Sequence, residues 1–325
     1  AILTAMSDRR SFFPEFPLTS PWIGAGIGFV MAALLAILAR GMVGDEEAGH
    51  YLIARYAPFQ PELFLNVYGR PLVTTGFALP AQGGLLAARL SAAILAAGTA
   101  AAMVRLARAT GLSPLWAVAF LFLQPYFLAH SGTVMTEPWA ALLVAWGIVA
   151  FTERRAALLV LVAGFLPLVR QEWIVFWPGV LWVLLREKKT GWIGLLPLPM
   201  LLWSVLGALW SGNPFWITQQ VAWRSYPSRD VLHYVKSMVW IVGAGLFVPI
   251  LLGIAAAVRH TRARATGEPE GQEAYLRRAF LLSALIVLVM VPVYTVFAVW
   301  HPITVGTLRF FAGLAAPLGL LALAG

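Results

Sequence analysis

The chain has 325 residues, 60% of them hydrophobic and only 11% charged, and it contains no cysteine. Soluble domains are about 45–50% apolar and about 25% charged, so this composition excludes an ordinary soluble domain and favours an all-α polytopic membrane protein. Disulfides and thiolate metal sites are excluded as well. The net charge of +9 lies in short connecting loops rather than in a soluble basic domain, which argues against nucleic acid as a partner.

Apolar segments recur along the chain, and a membrane helix needs about 20 mostly apolar residues. We predict about ten transmembrane helices in a single integral membrane domain that covers residues 1–325. The predicted spans are residues 21–41, 83–104, 114–131, 138–152, 156–170, 173–186, 191–210, 236–258, 279–299 and 308–325. Several are short and contain proline, which predicts that some helices tilt or break.

The loops between these spans alternate in charge. Lys and Arg concentrate in one set, which includes a polar, flexible loop at 259–278, and the positive-inside trend assigns this set to the cytoplasm. Acidic residues concentrate in the other set. The two long loops of that set, 42–82 and 211–235, are therefore predicted to lie on the non-cytoplasmic side.

The first long outer loop carries its own helical pattern. Tyr51, Ala54 and Ala57 recur at helical spacing, with Arg55 on the opposite face. This pattern predicts an amphipathic helix that lies in the membrane interface.

Three consecutive acids, Asp45, Glu46 and Glu47, follow the first span. Charges are costly near hydrocarbon, so we consider all three as candidate catalytic residues. Neighbouring side chains on a helix lie about 100° apart, so at most two can converge on one site. A carboxylate here could act as a general base, help to hold a divalent cation, or stabilise a helix N-terminus through the helix dipole.

Glu137, Arg170 and Glu172 also lie at predicted outer ends of spans. Thr136 is a predicted N-cap residue with Pro138 in the first helical turn, so Glu137 is either a catalytic or acceptor-binding group or a partner of the helix dipole. Arg170 either binds a phosphate bidentately or forms an internal ion pair with Glu172.

Three further outer residues are candidates for substrate binding. Arg309 is predicted to lie outside, against the positive-inside trend, which favours a role in binding an anionic group. His301 is either a proton carrier or a structural residue. Arg70 either contacts a lipid headgroup or substrate phosphate, or extends along the interface without a ligand.

The order of these features resembles the GT-C superfamily of membrane glycosyltransferases, and in particular bacterial relatives of the protein O-mannosyltransferases and of the aminoarabinose-to-lipid-A transferases. In that family an acidic pair after the first span is followed by an aromatic residue and Ala-Arg. The matching segments here are residues 46–55, 69–72, 87–91, 133–138, 169–172 and 309–317. Two registers fit the acidic pair, Glu46-Glu47 or Asp45-Glu46, and the family's first proline is missing from segment 69–72.

The resemblance implies inverting transfer of a sugar from a polyprenyl-phosphate donor to a hydroxyl of a glycan, lipid or protein acceptor. It implies a carboxylate base, arginines that bind the departing phosphate, no metal and no cofactor. The expected location is the inner membrane of a bacterium, among membrane lipids, with the active side periplasmic. Two alternatives stay open at this point: a non-catalytic subunit of a larger membrane complex, and a lipid or substrate transporter, which would place charges midway along its spans.

Overall fold

The computed structural model describes residues 20–220, 230–262, 271–299 and 308–324. Within these ranges the chain is helical and contains no strand. The α-helices are Pro21–Leu38, Gly44–Tyr56, Pro71–Gln82, Leu85–Thr110, Pro114–Phe122, Pro125–His130, Thr136–Thr152, Ala156–Val169, Trp177–Arg186, Leu198–Ser211, Trp216–Gln220, His233–Val242, Ala244–Arg262, Gly271–Val299 and Ala315–Ala324. Short 3-10 segments are Pro61–Leu65, Gln171–Phe176, Thr190–Leu195 and Leu308–Leu314. The all-α prediction is confirmed.

The predicted count of ten spans is not confirmed. Four segments of the described chain are long and apolar enough to cross a membrane: Pro21–Leu38, Leu85–Thr110, Thr190–Ser211 and Glu273–Val296. A fifth candidate is a pair of helices, His233–Val242 and Ala244–Ala257, bent by 114° at Gly243. Gly243 has a φ of +83°, a conformation that glycine adopts without a steric cost.

Proline accounts for much of the difference between the predicted spans and the observed helices. The predicted span 114–131 is divided into two helices, because Pro125 starts a new helix after Gln124. The predicted span 173–186 is a 3-10 segment followed by the 10-residue helix Trp177–Arg186. The helices Thr136–Thr152 and Ala156–Val169 are apolar, but they have only 17 and 14 residues.

The first two candidate spans pack against each other through small residues. Ser20 caps the Pro21–Leu38 helix by accepting a hydrogen bond from the Trp22 amide, and Gly24 and Gly28 lie on its buried face. A Cβ atom at Gly28 would lie 2.8 Å from the Ala100 Cβ, so the two backbones approach closely. Close approach at small residues is the usual way in which membrane helices gain contact, because lipid gives no hydrophobic drive for their association.

The predicted interfacial helix is part of the Gly44–Tyr56 helix, but its apolar face is covered by protein. Tyr51 and Ala54 are buried in a cluster with Val73 and Phe77 of the Pro71–Gln82 helix. The segment 42–82, predicted as an outer loop, is therefore mostly folded as two helices packed against each other. This packing fixes the direction in which the acidic first turn faces.

A helical hairpin defines two ends of the molecule. The Thr136–Thr152 and Ala156–Val169 helices are joined by a three-residue turn, so they run in opposite directions. Glu137 and Arg170 lie at one end of this hairpin, and Glu153 and Arg155 lie at the other, about 25 Å away along the longer helix. The first end carries the candidate site.

Candidate functional site

Seven of the candidate residues come from four separate parts of the chain. Asp45, Glu46 and Glu47 occupy the first turn of the Gly44–Tyr56 helix, and Glu137 occupies the first turn of the Thr136–Thr152 helix. Arg170 and Glu172 lie at the break after Val169, and Arg309 lies in the Leu308–Leu314 segment. The helix that contains Glu137 begins at Thr136 with Met135 as the N-cap residue, one position before the predicted cap.

Glu47 forms a closed structural pair with Arg89. Its Oε1 accepts hydrogen bonds from Arg89 Nε at 2.8 Å and the Val134 amide at 3.2 Å, and its Oε2 accepts from Arg89 Nη2 at 2.7 Å and the Val43 amide at 2.6 Å. Arg89 also donates to the carbonyls of Ala39 and Gly41, which follow the end of the first helix. Glu47 is fully buried, and its oxygens have no remaining capacity to take up a proton.

The protonation state of Glu47 agrees with this structural role. Burial by itself would raise the pKa of the carboxyl group, but the hydrogen bonds from Arg89 and from the Val43 and Val134 amides hold it below its usual value. Glu47 is therefore ionised at neutral pH and held between three segments of the chain.

Glu46, one position earlier, faces a different group. It forms an ion pair with Arg309, and its side chain remains 38% exposed. Arg309 Nε also lies 3.4 Å from Glu137 Oε1. Arg309 is thus shared between a half-exposed carboxylate at the mouth and a buried carboxylate behind it.

Arg170 is held in place by more contacts than Arg309. Its Nε donates to Glu172 Oε1 at 2.6 Å, and its Nη1 lies 3.5 Å from Glu137 Oε1. The guanidinium carbon lies 3.7 Å from the centre of the Phe310 ring and 5.8 Å from that of Tyr294, within the range of cation–π attraction. Burial alone would raise the pKa of Glu172, but Arg170 and Arg70 hold it below its usual value.

Arg70 has an unusual backbone conformation. Its φ is +61°, which is unfavourable for a residue with a side chain, and Pro71 starts the next helix immediately afterwards. Its charge acts on both Glu172 and His50. This conformation therefore holds a third cation near the cluster.

His50 also belongs to the site, although it was not among the residues predicted from the sequence. It lies one helical turn after Glu46, is 5% exposed, and stacks on Tyr68 with ring centres 5.3 Å apart. Burial and the positive charges of Arg70 and Arg170 lower the pKa of His50 to about 4, so the ring is neutral at neutral pH. The spacing from Glu46 to His50 was the available signal, since side chains four residues apart share a helix face.

Several buried polar atoms around this cluster lack a hydrogen-bond partner within the described part of the chain. They are Glu137 Oε1, Arg309 Nε, His50 Nδ1 and the Tyr294 hydroxyl. A buried polar group without a partner costs about 1–3 kcal/mol. A polar or anionic ligand that satisfied these atoms would recover part of that cost.

An apolar groove of about 510 Å³ lies between two helices near the site in the chain. It follows the Ala156–Val169 helix from Ala157 to Leu168, a distance of about 17 Å along the axis, and its opposite wall is the Leu198–Ser211 helix. That wall is open on its outer face, where Leu202 is 54% and Leu206 57% exposed. The groove reaches Leu168, two residues before Arg170.

The structure places the sequence-predicted residues in different surroundings. Arg70 lies near the cluster, and its charge acts on Glu172. The structure brings Glu46, Glu137, Arg170, Glu172 and Arg309 into one connected cluster. Asp45 is exposed, and Glu47 belongs to the separate Arg89 pair. His301 lies outside the described residues.

The cluster combines anion-binding and base-bearing groups. The guanidinium groups of Arg170 and Arg309 suit a phosphate, and a half-exposed carboxylate suits proton transfer. The described residues contain no group of three His, Asp or Glu side chains placed to share a metal ion. Comparisons with protein-family models, curated proteins and solved structures found no match to this chain.

Proposed function

We propose that the chain is an inverting glycosyltransferase that moves a sugar from a polyprenyl-phosphate donor to an acceptor hydroxyl on the non-cytoplasmic face of a bacterial inner membrane. The site end of the hairpin is assigned to that face because the opposite end carries Arg105, Arg154, Arg155 and Lys189, the pattern typical of cytoplasmic ends. The proposal also rests on the ordered resemblance to GT-C transferases described above.

One observation supports the proposal most: an apolar groove is lined by residues that are close in the chain to two arginines of the site. The groove is lined by Pro71 and Leu168, and Arg70 and Arg170 lie one and two residues from them in the chain. A ligand that fits both parts has a long apolar tail and an anionic head. A polyprenyl phosphate has this chemistry, and the open wall of the groove would let its tail enter from the hydrocarbon.

Glu46 is the best candidate for the base among the three acids. Glu47 has no free oxygen lone pair, and Asp45 is exposed and makes no ion pair among the described residues. Glu46 is only partly exposed and lies beside Arg309, where the phosphate would bind. Glu137 and Glu172 would hold the arginines in place.

In the proposed step, Glu46 takes the proton of the acceptor hydroxyl while the acceptor oxygen attacks the anomeric carbon. A new carbon–oxygen bond forms on the face opposite the phosphate, and the bond from the anomeric carbon to the phosphate oxygen breaks. The bonding electrons remain on the departing polyprenyl phosphate. Arg170, Arg309 and Arg70 would stabilise the negative charge that develops there.

Sugar transfer by the purified protein tests this proposal. The protein in nanodiscs is mixed with a panel of short-chain polyprenyl-phosphate sugars and with lipid and glycan acceptors, and release of polyprenyl phosphate is measured. Removal of a general base lowers turnover by about 10²- to 10⁴-fold, so Glu46→Gln should lose activity to that extent.

Two variants serve as comparisons. Glu62→Gln makes the same chemical change at an exposed position of the same outer loop and should keep turnover within about twofold of the unaltered protein. Asp45→Asn should lower turnover far less than Glu46→Gln. Equal losses in Asp45→Asn and Glu46→Gln would contradict the base assignment. Binding of polyprenyl phosphate without any transfer would favour a non-catalytic subunit or a transporter.

A further inference from the structure

Arg309 occupies a position between two carboxylates that have different surroundings. It forms an ion pair with Glu46 at the mouth, and its Nε lies 3.4 Å from Glu137 Oε1 without a hydrogen bond to it. Glu137 is 2% exposed, and its Oε1 likewise has no hydrogen-bond partner in the described residues. Arg309 and Glu137 therefore retain unused hydrogen-bonding capacity in the buried part of the cluster.

The neighbouring Arg170 differs from Arg309 because its Nε is already used in a hydrogen bond. Its Nε is bonded to Glu172, and its guanidinium lies against the Phe310 ring. Moving Arg170 would break a short charged hydrogen bond and a cation–π contact together. Arg309 has an unbonded Nε and a more exposed ion-pair partner, and its guanidinium carbon lies farther from the Phe310 ring, at 5.7 Å. It is therefore the arginine that can change partner at a lower cost.

The charges around the site are balanced before a donor binds. Glu46, Glu137 and Glu172 provide three negative charges, and Arg70, Arg170 and Arg309 provide three positive charges. An incoming phosphate adds negative charge and competes with these carboxylates for the guanidinium groups. The side chain of Glu46 is 38% exposed, against 2% for Glu137 and 11% for Glu172, so water can best solvate Glu46 after release.

We propose that Arg309 is a positioning residue that holds Glu46 until the donor phosphate takes over its guanidinium. This inference rests on the proposed function. Donor binding would turn Arg309 from Glu46 to the phosphate and leave the Glu46 carboxylate free to accept the proton of the acceptor hydroxyl. The base would be engaged by Arg309 in the empty site and available in the donor complex, so the donor binds first and the acceptor second.

Binding of a lipid phosphate tests this competition directly. The probe is farnesyl phosphate, added to the purified full chain in detergent micelles, and Kd is measured by thermophoresis. Because Glu46 competes with the phosphate for Arg309, Glu46→Gln should bind about three- to tenfold more tightly than the unaltered protein, as expected for loss of a partly buried ion pair. The matched variant Glu62→Gln should leave Kd within about twofold.

A double-mutant cycle assigns the effect to Arg309. In an Arg309→Ala background, Glu46→Gln should change Kd by less than about 1.5-fold, since the contested guanidinium is gone. Should Arg309→Ala fail to fold, Arg309→Lys replaces it, and the gain from Glu46→Gln should then shrink because a lysine cannot make the same forked contacts.

The outcomes separate this inference from the proposed function. Equal or weaker binding by Glu46→Gln overturns the release of Glu46, while the lipid-phosphate site itself stands. If Glu46→Gln tightens farnesyl phosphate binding equally in the Arg309 variant and in the unaltered protein, the role of Arg309 is overturned. Absence of saturable farnesyl phosphate binding by the unaltered protein overturns both the inference and the proposed donor.

Discussion

The two ends of the Thr136–Thr152 and Ala156–Val169 hairpin use the same residue types in different surroundings. At the site end, the Glu137 and Arg170 side chains are 2% and 8% exposed. At the opposite end, Glu153 pairs with Arg105 and Arg155, whose side chains are 35% and 55% exposed. Both ends therefore contain Arg–Glu pairs, but only the site end removes both partners from water.

This difference changes what each cluster contributes. Exposed ion pairs are worth about 0–1 kcal/mol and are weakened by salt, whereas burying a pair incurs a desolvation cost that often exceeds the attraction. The opposite end can therefore be explained by topology and solvation alone. The site end keeps costly buried charges and unbonded polar atoms, which is expected of a site that binds a charged ligand.

The largest expected effect on stability is at the buried Glu47–Arg89 pair. Glu47→Gln leaves the Arg89 guanidinium buried without a counter-charge, and breaking a buried pair in this way costs about 3–5 kcal/mol. We expect a large fall in Tm for the protein in nanodiscs, measured by intrinsic fluorescence.

Glu46→Gln is the matched control, since it makes the same change at the neighbouring, half-exposed position. Its Tm should stay much closer to that of the unaltered protein. A similar small change for both variants would contradict the structural role of Glu47 and would return it to the candidates for the base.

A second effect at the site end depends on pH. The pKa of His50 is about 4 in the folded protein, against 6.5 in the unfolded chain, because burial and the charges of Arg70 and Arg170 oppose protonation. The contribution of His50 to the free energy of unfolding is therefore fully present above pH 6.5. It is lost as pH falls towards 4, because the unfolded state then binds the proton more readily than the folded state does. This shift in the pKa of His50 corresponds to about 3 kcal/mol in the free energy of unfolding.

Melting curves at several pH values between 7 and 4 measure this effect. His50→Gln keeps a polar side chain but does not titrate in this range, so its Tm should fall less on acidification than that of the unaltered protein. Identical pH dependence in the two proteins would show that His50 is not buried as a neutral ring.

Local patterns in the sequence located much of the candidate cluster. Glu137, Arg170 and Arg309 each lie at an end of an apolar segment, and residues at the same end of neighbouring antiparallel helices are brought together by packing. The partner of Glu47 could not be obtained this way. Arg89 lies on a different helix, and the rotation of one helix against another depends on side-chain packing rather than on local periodicity.

The number of spans was the least predictable feature of the fold. Hydropathy measures whether a segment is apolar, but it does not determine whether that segment forms one straight helix. Pro125 and Gly243 each interrupt an apolar stretch, so neither stretch forms one straight helix. Helices broken by proline or glycine are tolerated in membrane proteins where surrounding protein satisfies the freed backbone groups.

The smallest expected effect is at the opposite end of the hairpin. Glu153 accepts from Arg105 Nη2 at 2.8 Å and pairs with Arg155 Nε at 2.6 Å, yet both cations remain open to water. Glu153→Gln should therefore cost less than about 1 kcal/mol, and raising the salt concentration should reduce the difference from the unaltered protein further. Tm measured at low and high salt tests this. If Glu153→Gln destabilised the protein as much as Glu47→Gln, burial would not be what separates the two ends, and the unbonded polar atoms beside Arg309 would lose their weight as evidence for a ligand site.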